Sequence, residues 1–153
     1  MIKLLVSAPS SIELKKILDR TTGSYTPEIQ PVFEPETAES SILEMKKLVR
    51  EVYVAEPLQE ILVRMLSALT HGSSFSSQAV TENVQYGPGP RGAQSILLMA
   101  KVYALLDRRI NLAFEDILAV IVPCLRHRLI MSFKANVRGV SADDVIREIK
   151  TAK

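Results

Sequence analysis

Hydrophobic residues recur every three or four positions along most of the chain, which is the pattern of amphipathic helices. The clearest stripe runs from Leu58 to Leu69, in a helix whose first turn holds Glu56 and Pro57 and which His71 and Gly72 close. Similar patterns predict further helices over Ser11–Arg20, from about Thr37 to Glu51, from Phe114 to about Ile130, and over Ser141–Lys150. The chain is therefore predicted to form an all-α bundle of about five helices.

Side chains that can cap helices mark several of these starts. Ser10 or Ser11 can cap the first helix, and Ser141 with Asp144 has capping-box spacing at the last one. Ser41 and Glu44 have the same spacing, so the helix that begins near Thr37 can instead start one turn later.

The sequence Gly-Pro-Gly-Pro-Arg-Gly at positions 87–92 precedes the most uniformly apolar helix, Arg91–Asp107. A helix that is apolar nearly all round is usually buried, so we place it at the centre of the bundle. Pro90 suits the first helical position, and Arg91 then lies in the first turn. A cation is unfavourable there unless an anion shares the helix N-terminus, so Arg91 either points into solvent or binds an anion.

The remaining segments are predicted from composition. Ile2 to Val6 is β-like but has no convincing partner, because the only other candidate strand, Val84 to Tyr86, is weak. Pro123 should kink or break its helix near Val122. Three stretches are predicted to be a connector, a loop and a linker, in that order: Ser24–Pro35, Ser73–Gln85 and Phe133–Gly139.

Composition limits the class of protein. The 153 residues are 47% hydrophobic, which is enough for one domain with a real core, and the net charge of +2 does not by itself imply a nucleic-acid or membrane partner. One cysteine excludes an internal disulfide and fits a reducing compartment. The sequence has neither an apolar stretch of about 20 residues nor a signal peptide, so we expect a cytoplasmic protein without a membrane partner.

The search for reactive or ligand-binding motifs is mostly negative. No glycine-rich turn is followed by Lys and Ser or Thr, so the chain has no phosphate-binding loop and should not hydrolyse a nucleotide alone. Cys124 and His127 lie three residues apart but lack further ligands, so no metal site is predicted. The basic stretch Leu125–Leu129, with Arg126 and Arg128, either ends a helix or contacts nucleic acid, as Arg108 and Arg109 also could.

Several motifs together resemble the C-terminal helical lid of MoxR-type AAA+ ATPases. Their order and spacing carry the likeness, which covers nearly the whole chain: Arg20–Gly23, Leu48–Val52, Gly87–Gly92, Ala100–Leu106, Phe114–Ile117, Leu125–Leu129 and Asp143–Ile146. One departure is Ala113, where the family usually has a Thr or Ser that caps the next helix.

This resemblance implies a division of the chain and a role for its central turn. Residues 1–9 would be the last strand of an ATPase core, residues 10–35 a short helix and connector, and residues 36–153 the lid bundle, so the chain would be part of a longer ATPase. Arg91 matches the sensor-2 arginine of the family, which reaches the nucleotide phosphates, and Gly89 and Pro90 would set its direction.

The resemblance also implies the cofactors and partners. The longer protein would use ATP and Mg²⁺ as an ATP hydrolase, although this chain would be inactive alone. Its partners would be the AAA+ core of the same polypeptide, neighbouring subunits of a ring that is expected to be a hexamer, and proteins remodelled in a chaperone-like manner. Two alternatives without a nucleotide role are a helical nucleic-acid-binding module and a protein-interaction module.

Overall fold

The computed structural model describes residues 2–24 and 28–151, and it divides them into two compact units. One unit contains residues 4–44, and the other contains residues 2 and 3 together with Met45 onward. The boundary between the units falls inside a helix. The predicted division into residues 1–9, 10–35 and 36–153 follows the parts of a longer ATPase and stays a prediction.

The unit of residues 4–44 contains one complete helix and the start of another. Helix α1 (Ser11–Thr22) has Ser10 as its N-cap, which is one of the two predicted caps, and the structure adds a capping box between Ser10 and Glu13. Helix α2 (Pro35–Glu51) begins two residues before the predicted Thr37, so Ser41 and Glu44 lie in the helix and form no capping box. Between the two helices, residues 28–34 form no helix or strand, as predicted for the connector, whose residues 25–27 lie outside the described part of the chain.

Two predictions for the N-terminal half are wrong. The segment Ile2 to Val6 forms no strand and pairs with neither β1 nor β2, whereas the Lys3 N–H donates to the Pro123 carbonyl oxygen at 2.9 Å. The apolar stripes of α1 and α2 contain no buried residue, and Ile12 of α1 is 73% exposed. The predicted bundle implied apolar contacts for these stripes, whereas all of their residues except the half-buried Val49 are exposed.

The larger unit contains the hydrophobic core. Its elements follow α2 in the order α3 (Glu56–Ala68), α4 (Gln78–Asn83), β1 (Val84–Tyr86), α5 (Gly89–Leu106), α6 (Phe114–Leu125), β2 (Ile130–Met131), α7 (Phe133–Arg138) and α8 (Ala142–Thr151). Helix α5 packs against α3 and α6, and α6 packs against α8. The fully buried side chains Leu62, Ile96, Ile121 and Ile146 come from these four helices.

The all-α class is confirmed: the described residues form eight helices, where the sequence predicted a bundle of about five and placed six helical segments. The two helices that were missed, α4 and α7, have six residues each and replace parts of the predicted loop and linker. Ser77 and Ser132 cap them, so a short polar segment becomes helical once a cap satisfies its first N–H groups. The weak strand candidate Val84–Tyr86 does form, and it pairs antiparallel with β2.

Pro123 does not break its helix, which was one of the two predicted effects. Helix α6 passes through Pro123 and ends at Leu125, neither broken at Val122 nor extended to Ile130. A proline near the C-terminal end removes only one hydrogen bond of the helix, and the helix stops within one turn of it. Within the described residues, no helix is long and apolar enough to cross a lipid bilayer.

Candidate functional site

The glycine and proline residues before α5 hold the chain close to neighbouring elements. A side chain at Gly87 would meet Thr70 Oγ1 at 2.6 Å and the Leu69 carbonyl oxygen at 3.1 Å, so only glycine fits beside the end of α3. Gly89 has a φ angle of +63°, a conformation that other residues adopt only with strain. The turn is therefore fixed by backbone geometry before α5 begins.

Gly92 fixes the position of the first turn of α5. It is buried, and a Cβ atom there would lie 2.9 Å from Pro88 Cβ and 3.0 Å from Leu125 Cδ2. The backbone of α5 thus packs directly on the end of α6, with Leu66 of α3 also in contact range at 3.7 Å. A movement of this turn must therefore move α6 and α3 as well, because close-packed contacts of this kind leave little free space.

Arg91 lies on the exposed side of this fixed turn. Its guanidinium has no hydrogen bond or ion pair with the residues that the structure describes, and the first turn of α5 holds no acidic residue. Pro88, the N-cap, provides no side-chain cap. Unpaired N–H groups and an unpaired cation therefore share one end of a helix of 18 residues, which is a favourable arrangement for an anion.

An open groove adjoins the same turn. Its volume is about 500 Å³, and residues of α3 and α5 line it, with Gly89 and Pro90 among them. Apolar side chains such as Leu66 form its wall, and Thr70 and Gln94 add polar groups. All three predicted site residues, Gly89, Pro90 and Arg91, are exposed and consecutive, so a ligand can reach them together.

Two of the four other arginines considered from the sequence are paired with carboxylates. Arg109 donates to both carboxylate oxygens of Asp116, at 2.6 and 2.8 Å. Arg126 does the same with Asp143, at 3.2 and 2.7 Å, and so ties the end of α6 to α8. Two of the four arginines proposed for a nucleic-acid surface are therefore neutralised, which disfavours that alternative.

Cys124 and His127, the pair considered as metal ligands, have different surroundings. Cys124 is buried, its thiol donates to the Ser95 carbonyl oxygen at 3.6 Å, and burial raises its pKa. His127 is exposed, and its pKa is lowered, mainly by desolvation and then by the neighbouring positive charge of Arg128. Among residues 2–24 and 28–151, no cluster of three His, Cys, Asp or Glu side chains could hold a metal ion.

Ala113 shows how a weak helix start is compensated. It is the N-cap of α6 and has no side chain that could accept a hydrogen bond. The carboxylate of Asp116 accepts the Ala113 N–H at 2.9 Å, and the same carboxylate holds Arg109. The missing cap is visible in the sequence, whereas the only sequence signal for this network is an acidic residue three positions after Ala113.

We expect substitutions at the two glycines of the turn to differ in cost. Gly92→Ala should lower the free energy of unfolding by about 1–3 kcal/mol, because the added methyl group overpacks the contact with Pro88 and Leu125. In Gly89→Ala the added Cβ atom would have no atom within 4 Å, so only backbone strain of about 1 kcal/mol opposes the substitution. Urea denaturation followed by circular dichroism measures both. Equal stability of Gly92→Ala and the native chain would contradict the close packing.

Comparison with known proteins identifies relatives of the same architecture. Residues 76–149, which include the Arg91 turn, match the AAA lid domain family. The chain is 26% identical over 152 residues to the uncharacterized protein YeaC of Bacillus subtilis, with 99% of this chain and 44% of YeaC covered. It is 25% identical over 149 residues to Chaperone MoxR1 of Mycobacterium tuberculosis, with 97% of this chain and 38% of MoxR1 covered.

A solved structure shows the same fold. It is the crystal structure of a candidate ATPase from Cytophaga hutchinsonii, and the TM-score is 0.82 at 21% sequence identity. The match covers 97% of this chain and 44% of that one. The chain thus spans less than half the length of each of these three relatives.

Proposed function

We propose that this chain, whose residues 76–149 are the lid domain of a MoxR-like AAA+ ATPase, contributes Arg91 to ATP binding and couples hydrolysis to movement of the lid. The observation that carries this proposal is the unpaired, exposed guanidinium in the first turn of α5. A cation held there without an acidic partner gains most from an anion supplied by another part of the protein.

The residues of the turn fit the phosphates of a nucleotide. ATP, when bound, supplies anionic oxygens that can accept hydrogen bonds from the Arg91 guanidinium and from the first N–H groups of α5. Gly89 and Pro90 set the direction of Arg91, since they fix the backbone that leads into its helical turn. We propose that residues of the ATPase core bind the Mg²⁺ that accompanies the nucleotide.

The packing of α5 explains how a change in the position of Arg91 could move the neighbouring helices. Gly92 places the first turn of α5 against Leu125 at the end of α6. An altered position of Arg91 on loss of the γ-phosphate would therefore shift α5, α6 and α3 as one body. We propose that this shift of the three helices, repeated in the subunits of a ring, drives chaperone-like remodelling of partner proteins.

Exposed apolar side chains in residues 4–44 support the proposal that an ATPase core covers this unit in the longer polypeptide. Leu5 is 80% exposed and Val6 87% exposed, and the apolar stripe of α1 is open to solvent as well. Isolated proteins rarely expose so many neighbouring apolar side chains without a partner surface. We propose that Ile2 to Val6 pairs with the sheet of the ATPase core in the longer polypeptide, and that the same core covers α1.

We expect the isolated chain to have no ATPase activity, because it lacks a phosphate-binding loop. The measurement is steady-state phosphate release at rising concentrations of the purified chain. Turnover that scales with chain concentration and survives repeated purification would contradict the assignment. In the longer ATPase, replacement of Arg91 tests the sensor role directly, and unchanged kinetics would remove it.

A further inference from the structure

The turn that follows α6 contains two arginines with different surroundings. Arg126 forms a bidentate ion pair with Asp143, with the shorter contact at 2.7 Å. Arg128, two residues later, forms no ion pair with a described carboxylate. Its Nη2 atom donates to Ser95 Oγ at 3.3 Å, and its Nε atom is buried without a hydrogen-bond partner.

Ser95 connects Arg128 to the first turn of α5. It is 4% exposed, which is unusual for a polar residue in so apolar a helix. Its hydroxyl donates to the carbonyl oxygen of Arg91 at 2.8 Å. A continuous chain of hydrogen bonds thus runs from the Arg128 guanidinium, through the Ser95 hydroxyl, to the backbone of Arg91.

Burial makes this chain of hydrogen bonds costly to maintain without a function. A guanidinium that is partly buried loses hydration, and one weak hydrogen bond to a hydroxyl restores little of it. Core packing alone could be met by an apolar side chain at each of these two positions. The link does have a specific local effect, because Arg128 polarises the Ser95 hydroxyl that holds the Arg91 carbonyl.

We propose that Arg128 is a positioning residue that acts through Ser95 to hold the Arg91 turn in the orientation that meets the nucleotide phosphates. This inference rests on the proposed sensor role of Arg91. Arg91 and Ser95 lie one turn apart on the same face of α5, so the Ser95 hydroxyl restrains the peptide group from which the Arg91 side chain extends. Arg126 instead connects the end of α6 to α8 through its ion pair with Asp143.

The first test uses the chain itself and needs no nucleotide. Backbone amide NMR spectra of Arg128→Gln should show shifts at Arg91, Gly92 and Ser95 in the first turns of α5. The matched control, Arg126→Gln, should shift signals around Asp143 in α8 and leave the Arg91 turn unchanged. Shifts of the Arg91 turn that are equal in both variants, or absent in Arg128→Gln, would overturn the link.

The second test is a double-mutant cycle in the longer ATPase. We expect Arg128→Gln to lower kcat about threefold to tenfold, the range for one lost hydrogen bond, with little change in KM. In the Arg91→Ala background the same substitution should have no further effect, because it acts only through Arg91. Arg128→Lys should restore part of kcat, and Arg126→Gln should leave kcat unchanged at a temperature where it is folded.

The outcomes separate this inference from the proposed function. An equal loss of kcat from Arg128→Gln with and without Arg91 would show a general structural role and overturn the positioning role alone. Unchanged kcat in Arg128→Gln would do the same. Unchanged turnover in Arg91→Ala would overturn the proposed function, and the positioning role with it.

Discussion

Asp116→Asn should lower the free energy of unfolding of the larger unit by about 3 kcal/mol, near the lower end of the range for breaking a buried ion pair. The Asp116 side chain is only 5% exposed, and it accepts two hydrogen bonds from Arg109 and one from the Ala113 N–H. An amide keeps the shape but removes the charge, and its NH2 group faces at least one of these donors instead of accepting a hydrogen bond from it. The Arg109 side chain is 32% exposed, so water can partly solvate its charge once the carboxylate is gone. This solvation limits the loss in the free energy of unfolding.

Urea denaturation followed by circular dichroism measures this loss. Glu115→Gln is the matched control, because Glu115 is an exposed acid in the same first turn of α6. It should cost less than about 0.5 kcal/mol, as surface substitutions usually do. Equal losses in the two variants would show that the Arg109–Asp116 pair does not hold the α5–α6 turn.

The same pair predicts how stability depends on pH. The Arg109 guanidinium lowers the pKa of Asp116 below its ordinary value in the folded chain. A lowered folded pKa contributes stability above the unfolded pKa of about 4, and this contribution is lost as the pH falls through the folded pKa. Asp116→Asn should therefore lose less stability between neutral and acid pH than the native chain does. Parallel pH profiles for the two proteins would contradict this role of the carboxylate.

Arg91→Ala should lower kcat for ATP hydrolysis about tenfold to a hundredfold in the longer ATPase. This range corresponds to about 1.5–3 kcal/mol for one charge-assisted hydrogen bond. Arg91→Lys should retain part of the activity, since it keeps the charge but loses the planar pair of donors. Both variants should have the same midpoint of urea unfolding as the native protein. The reason is that Arg91 is exposed and forms no hydrogen bond or ion pair with a described side chain. Steady-state phosphate release measures kcat.

The fold was predictable where the sequence signal is local. The capping boxes of Ser10 with Glu13 and Ser141 with Asp144 both form, because cap and partner lie three residues apart. Helices α4 and α7 were missed because six residues give too short a window for hydrophobic periodicity. The Ile2–Val6 strand was predicted from composition, but a strand also requires a partner, which no local pattern reveals.

The candidate site was predictable only in part. The motif around Arg91 and its position at a helix start could be found from sequence, and the structure places them there. The pairs Arg126–Asp143 and Arg128–Ser95 join residues 17 and 33 positions apart, so spacing carries no signal for them. One signal was available for the second pair, since Ser95 is one of the few polar residues in the apolar helix. Whether Arg91 contacts a nucleotide remains a prediction.

One comparison tests the nucleotide-sensing role of Arg91 most directly. It measures steady-state ATP hydrolysis by the longer ATPase in the variants Arg91→Ala and Arg64→Ala. Arg64 is an exposed arginine on α3, so its replacement removes the same charge and the same kind of side chain from a different helix. We predict a loss of kcat of at least tenfold for Arg91→Ala and a change of less than twofold for Arg64→Ala. Equal kcat values for the two variants would contradict a nucleotide-sensing role for Arg91.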